Sequence, residues 1–121
     1  MTKKILVIDD ERDLVDILRV RLAANGFEVV CAYDGISGLE LAKSALPDLI
    51  ILDIMMPHLN GFAVCSLLKG NEQYRHIPVV MLTARDERND QFFDEEVKPD
   101  AFLNKPFETD ALLKKVTELL K

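Results

Sequence analysis

With 121 residues, 49% of them hydrophobic and 30% charged, the chain has the length of one domain (1–121) and can bury a core without disulfides or a structural metal. That composition excludes disorder as a description of the whole. A formal net charge of −6 excludes a broad nucleic-acid surface, which needs positive potential, so no direct nucleic-acid partner is expected.

The first apolar run, residues 4–9, is strand length and too short for a signal peptide or a membrane span. Residues 11–24 follow as an amphipathic helix with Leu14, Ile17, Leu18 and Leu22 on one face, stopped by Asn25-Gly26. A second strand is expected over 28–32, then a helix over 36–45 carrying Leu39 and Leu41 and closed by Pro47. A third strand covers 48–53, and a helix over 61–69 offers Phe62, Val64, Leu67 and Leu68. The fourth strand, 78–83, leads to a weak helix over 86–97, anchored only by Phe92, Phe93 and Val97, which reads as lightly held. A fifth strand, 100–104, precedes a last helix over 110–120 with Leu112, Leu113, Val116, Leu119 and Leu120 inward and Thr109 as N-cap.

Several of these strands are apolar without alternation, the mark of strands buried on both faces of a parallel sheet. Five strand–helix units imply an open, doubly wound α/β fold with right-handed crossovers, since a closed barrel of this kind needs eight. Cys31 and Cys65 stand in no metal or redox spacing and read as buried free thiols in a reducing compartment, which gives a cytoplasmic protein without membrane contact. Residues 85–100 hold seven acidic residues against three basic ones, a local charge of −4.

What ends each strand is the informative feature. The first ends in Asp9-Asp10, the third in Asp53, the fourth in Thr83, and the fifth runs into Lys105. In an open parallel sheet, ligands bind beyond the carboxyl ends of the strands. Three carboxylates, a hydroxyl and an ammonium would meet there. Clustered carboxylates raise one another's pKa unless a cation compensates, and a hard ion with oxygen ligands, Mg²⁺ above all, does so. Such a set can hold a phosphoryl group, and a carboxylate within it can attack phosphorus to form an acyl phosphate. Each residue also has a plainer reading. Asp53 could cap a turn, Asp9-Asp10 could cap the first helix, and Thr83 could be an ordinary β-branched strand residue.

Asp9-Asp10, the run Leu52-Asp53-Ile54-Met55-Met56-Pro57 with Gly61 after it, Thr83-Ala84 and Lys105-Pro106-Phe107 resemble the receiver domain of two-component response regulators over essentially the whole chain. The resemblance implies a five-stranded (βα)5 sheet of flavodoxin-like order 2-1-3-4-5. It implies that Asp53 accepts a phosphoryl group from a histidine kinase or a histidine phosphotransfer protein. Asp10 and Asp53 would bind Mg²⁺ directly, Asp9 through water, and the backbone carbonyl of Met55 would complete the protein ligands. Thr83 would hydrogen-bond the phosphoryl group, Lys105 would pair with it, and Lys105-Pro106 would be a cis peptide. Phe102 stands at the family's switch aromatic position, although an aromatic there is as readily plain core. His58 and His76 read as loop residues.

Lys98-Pro99 departs from the Gly-Ala that the family usually carries before the fifth strand, and Pro99 removes a backbone donor there. Met55 and Arg85 occupy positions that in the family influence attack by water on the phosphoryl group. Neither is an evident water-activating base, so autodephosphorylation should be slow. The competing readings are a receiver-fold interaction module that works without phosphorylation, and a phosphohydrolase with an aspartyl nucleophile. The output is expected to be a downstream protein partner or an output domain absent from this sequence, with dimerisation on phosphorylation among the outcomes.

Overall fold

The computed structural model describes residues 2–84 and 98–121. The expected helix over 86–97 with Phe92, Phe93 and Val97, and also Arg85, lie outside the described residues. Five strands form one parallel sheet: β1 (Lys4–Ile8), β2 (Glu28–Ala32), β3 (Leu49–Asp53), β4 (Val79–Thr83) and β5 (Ala101–Asn104). Their spatial order is β2-β1-β3-β4-β5, the expected one. Four helices are described: α1 (Arg12–Ala24), α2 (Gly35–Ala45), α3 (Gly61–Lys69) and α4 (Thr109–Leu119). No helix among the described residues is long and apolar enough to cross a membrane.

Every residue of β3 and β4 is buried, which explains why these central runs lack alternation. The period of two is nevertheless visible in what each side chain touches. Leu6, Ile8, Ile50, Leu52, Val79 and Met81 pack into one cluster with Ala42 of α2 and Phe62, Val64, Cys65 and Leu68 of α3. Ile5, Val7, Leu49, Ile51, Val80 and Leu82 pack on the other face with Val15, Leu18 and Leu22 of α1 and Leu112 and Val116 of α4. Each fully buried aliphatic side chain contributes about 1.5–3 kcal/mol, so the two faces together fix the strand register.

Some helix faces differ from those expected. In α1 the buried positions are Val15, Leu18 and Leu22, spaced three and four apart, while Ile17 is turned outward and is 55% exposed. In α3, Leu67 is likewise exposed. Val15 and Ile17 are both apolar, and the pattern alone could not choose between them. Cys65 is buried, but Cys31 is only half-buried because β2 is an edge strand. Thr109 is the first residue of α4 rather than its cap; Glu108 holds the cap position and makes no side-chain capping bond.

Helix ends were partly legible. Asn25 ends α1 and Gly26 follows with φ +90°, a conformation glycine adopts freely. Asp34 and Asn60 cap α2 and α3 by accepting from the amides of Ser37 and Ala63, the usual service of short polar side chains at this position. At the start of β5, Asp100 compensates for the donor that Pro99 lacks: its amide donates to Val79 O, and its carboxylate accepts from Val79 N and Lys69 Nζ at 2.8 Å each. Gly61 sits where a Cβ would run into the carbonyl oxygen of Asp53. Gly61→Ala should therefore lower stability by about 1–3 kcal/mol, the usual effect of overpacking. Urea unfolding of the variant checks this, and an unchanged midpoint would show that the Asp53–Gly61 contact is not tight.

Candidate functional site

Each strand end is held by a backbone bond to its neighbour. Asp9 N donates to Ala32 O, Ile54 N to Leu82 O, and Lys105 N to Thr83 O at 2.7 Å. Asp9 Oδ1 accepts from the Glu11 amide at 2.9 Å and turns the chain into α1. After β3 the loop folds back through bonds from Met56 N and Gly61 N to Ile54 O. The Lys105–Pro106 peptide is cis. Strand alternation sets the direction of the side chains. Asp9 continues the series Ile5, Val7; Asp53 continues Leu49, Ile51; Lys105 continues Ala101, Leu103. All three series belong to the face covered by α1 and α4, so two carboxylates and an ammonium are directed together.

Lys105 Nζ lies 2.9 Å from Asp9 Oδ2 and 3.2 Å from Asp53 Oδ1. Asp9, Asp10 and Asp53 each offer a carboxylate oxygen, and these oxygens lie within 4.8 Å of one another. Asp9 and Asp53 are buried and Asp10 is exposed. Burial, the charge of Asp9 and, less strongly, that of Asp10 push the Asp53 carboxyl up to about 7, against the pull of Lys105. Burial also raises Asp9, although the Glu11 amide and Lys105 draw it down. Burial would lower Lys105, but its hydrogen bond to Asp9, the charge of Asp53 and its bond to Glu11 hold it above its ordinary value. Among the described residues, one ammonium lies against this group of three carboxylates. An oxygen-liganded divalent cation suits that donor set.

Thr83 is buried, and its Oγ1 finds no hydrogen-bond partner among the described residues. A hydroxyl left so is unusual in a folded protein. Met55 lies in the loop after Asp53 with its side chain exposed. Phe102 is half-buried, pairs in register with Met81 and packs against the cluster on the α2/α3 face. It lies on the opposite side of the sheet from the Asp9 series. His58, in the same loop as Met55, has φ 68° and is exposed, as is His76. The sequence did not single out Glu11, whose Oε1 lies 3.0 Å from Lys105 Nζ. Its only signal was its position directly after two aspartates.

The family model described as "Response regulator receiver domain" matches residues 5–117. The chain is 40% identical, over its full 121 residues, to the alkaline phosphatase synthesis transcriptional regulatory protein PhoP of Bacillus subtilis, of which it covers 50%. It is 42% identical over the same length to the response regulator PleD of Caulobacter vibrioides, covering 27% of that protein. The chain thus spans half or less of these curated relatives. Among solved structures, the signal receiver domain of a signal transduction histidine kinase from Syntrophus aciditrophicus superposes with TM-score 0.91 at 32% identity, covering 98% of this chain and 90% of that one.

A raised native pKa means that the folded protein holds the Asp53 proton more tightly than the unfolded chain does. The stabilisation is complete below the ordinary value of 3.8 and is lost as pH rises through about 7. Metal-free Asp53→Asn should therefore exceed the wild type in stability by about 1–3 kcal/mol near pH 8, with the gap closing near pH 4. Urea unfolding in chelator measures it, and a gap that does not vary with pH would contradict the raised pKa. Thr83→Val removes a buried hydroxyl at nearly constant shape and should stabilise the unligated protein by about 1 kcal/mol. A lower melting temperature would mean that the hydroxyl is already satisfied.

Proposed function

The chain belongs to the family of response regulator receiver domains, and on that premise we propose that it is a Mg²⁺-dependent switch that accepts a phosphoryl group on Asp53. The observation that carries the proposal is the buried Asp53 carboxylate in contact with Lys105 and within a few ångströms of Asp9 and Asp10. Receiver domains of response regulators interact with histidine kinases or phosphotransfer proteins, and either would be the donor here. They are not enzymes in the ordinary sense. The reaction proposed is self-phosphorylation followed by slow autodephosphorylation.

In that reaction an Asp53 oxygen forms a bond to phosphorus while the donor's bond to phosphorus breaks. Lys105 holds one phosphoryl oxygen through its ammonium, and the Thr83 hydroxyl, without a partner among the described residues, donates to another. Asp10 and Asp53 would bind Mg²⁺ directly, Asp9 through water, and Met55 through its backbone carbonyl. Bound Mg²⁺ would offset the carboxylate charge and the charge on the phosphoryl oxygens. A Thr83 hydroxyl drawn to the phosphoryl group would move the end of β4 and bias a two-state equilibrium read through Phe102. The readout is proposed to be a downstream protein or an output domain, with dimerisation on phosphorylation as one form of it, in the cytoplasm.

Incubation with Mg²⁺ and acetyl phosphate should add one phosphoryl mass to the wild type and none to Asp53→Asn. Equal labelling of both would overturn the assignment. Absence of labelling in either would favour an interaction module independent of phosphorylation. Multiple turnover of phosphate esters would favour a phosphohydrolase, for which Ile54, Met55, Met56 and Pro57 supply no acid or base after the nucleophile. The purified phosphoform should persist well beyond the scale of seconds, since Met55 offers no group to activate water.

A further inference from the structure

A lysine ammonium has three N–H donors, and among the described residues Lys105 has three carboxylate partners: Asp9 Oδ2 at 2.9 Å, Glu11 Oε1 at 3.0 Å and Asp53 Oδ1 at 3.2 Å. An arriving phosphoryl oxygen needs one of those donors. The three partners are not equally easy to displace. Asp9 is buried, so releasing it strands a carboxylate away from water, and Asp53 is the group under attack, held by Lys105 until the new bond forms. The Glu11 side chain is 64% exposed, and water resolvates it at once. Glu11 occupies the cap position of α1 but makes no side-chain capping bond, so the helix does not explain it. It lies instead along the groove formed by α1 and the Lys105–Pro106–Phe107 turn, beside the ammonium.

We infer that Glu11 is a positioning residue that restrains phosphorylation by competing with the incoming phosphoryl group for the third donor of Lys105. The inference rests on the reading of Asp53 as phosphoacceptor. With acetyl phosphate, an oxygen of ionised Asp53 forms the new bond to phosphorus, the bond between phosphorus and the acetyl oxygen breaks, and acetate leaves with the electron pair. The dianionic donor brings two negative charges up to a site already rich in carboxylates, the acyl phosphate retains one more than the free carboxylate did, and the Glu11 charge opposes this twice. It repels the donor, and it holds the ammonium that should meet it. Both effects reach through solvent and are weakened by salt.

Glu11→Gln keeps the shape and removes the charge. At saturating Mg²⁺ and low ionic strength the variant should be labelled by acetyl phosphate about 3- to 10-fold faster than the wild type, as expected for one charge acting across a few ångströms at a wet protein surface. The advantage should shrink measurably at about 0.5 M salt, where the screening length falls to about 4 Å. Glu11→Ala should show the same acceleration and the same salt dependence. A rate equal to or below that of the wild type, or an acceleration that ignores salt, would overturn the competition. If the wild type and both variants take up no label, the assignment of Asp53 falls and this inference falls with it. Labelling of all three at one rate removes only the role of Glu11.

Discussion

Carboxylates buried side by side repel one another and forfeit hydration, and the carboxyl edge of this sheet is organised around that conflict. Asp9 and Asp53 lie at the ends of adjacent strands, both buried, and the half-buried ammonium of Lys105 reaches them. Lys105 can do so because β5 is carried past β4 and because its amide is fixed to Thr83 O. Burial and the charge of Asp9 outweigh the pull of Lys105, and Asp53 holds its proton to about pH 7. A group in that condition gains from any cation or neutralising bond offered to it. A bound divalent metal ion is one such relief, and on the proposed reading it would also offset the charge that an acyl phosphate adds.

The fold supplies the geometry through ordinary packing. The two hydrophobic clusters lock the register of all five strands, and strand alternation then turns Asp9, Asp53 and Lys105 toward one face. The loop after Asp53 is pinned by Gly61 against the backbone it follows. Thr83 stands on the strand between the acidic residues and Lys105, its hydroxyl without a described partner. The resting site thus combines electrostatic crowding at Asp53 with a Thr83 hydroxyl that has no partner among the described residues.

Much of this was visible in the sequence. The unbroken apolar runs at 48–53 and 78–83 marked central strands because burial on both faces removes alternation. The polar residues at strand ends marked the site because nothing in a sheet core explains them. Other features were hidden for identifiable reasons. In α1, Ile17 and Val15 are similar in hydropathy, and only the packed helix shows which one is inward. Thr109 reads as a cap by residue type, yet helix α4 begins one residue earlier than that reading requires. Glu11 was invisible as a partner of Lys105, since 94 residues separate them and an acidic residue opening a helix has a sufficient local reading.

At the centre of the site is an Asp53 carboxyl forced toward neutrality by burial and by Asp9, rather than a solvated strand-end acid. Carbon-13 NMR titration of the Asp53 carboxyl in metal-free protein reads this directly. The expected midpoint is near 7, moving to lower pH when Mg²⁺ is added. A midpoint near 4, unmoved by Mg²⁺, would contradict it.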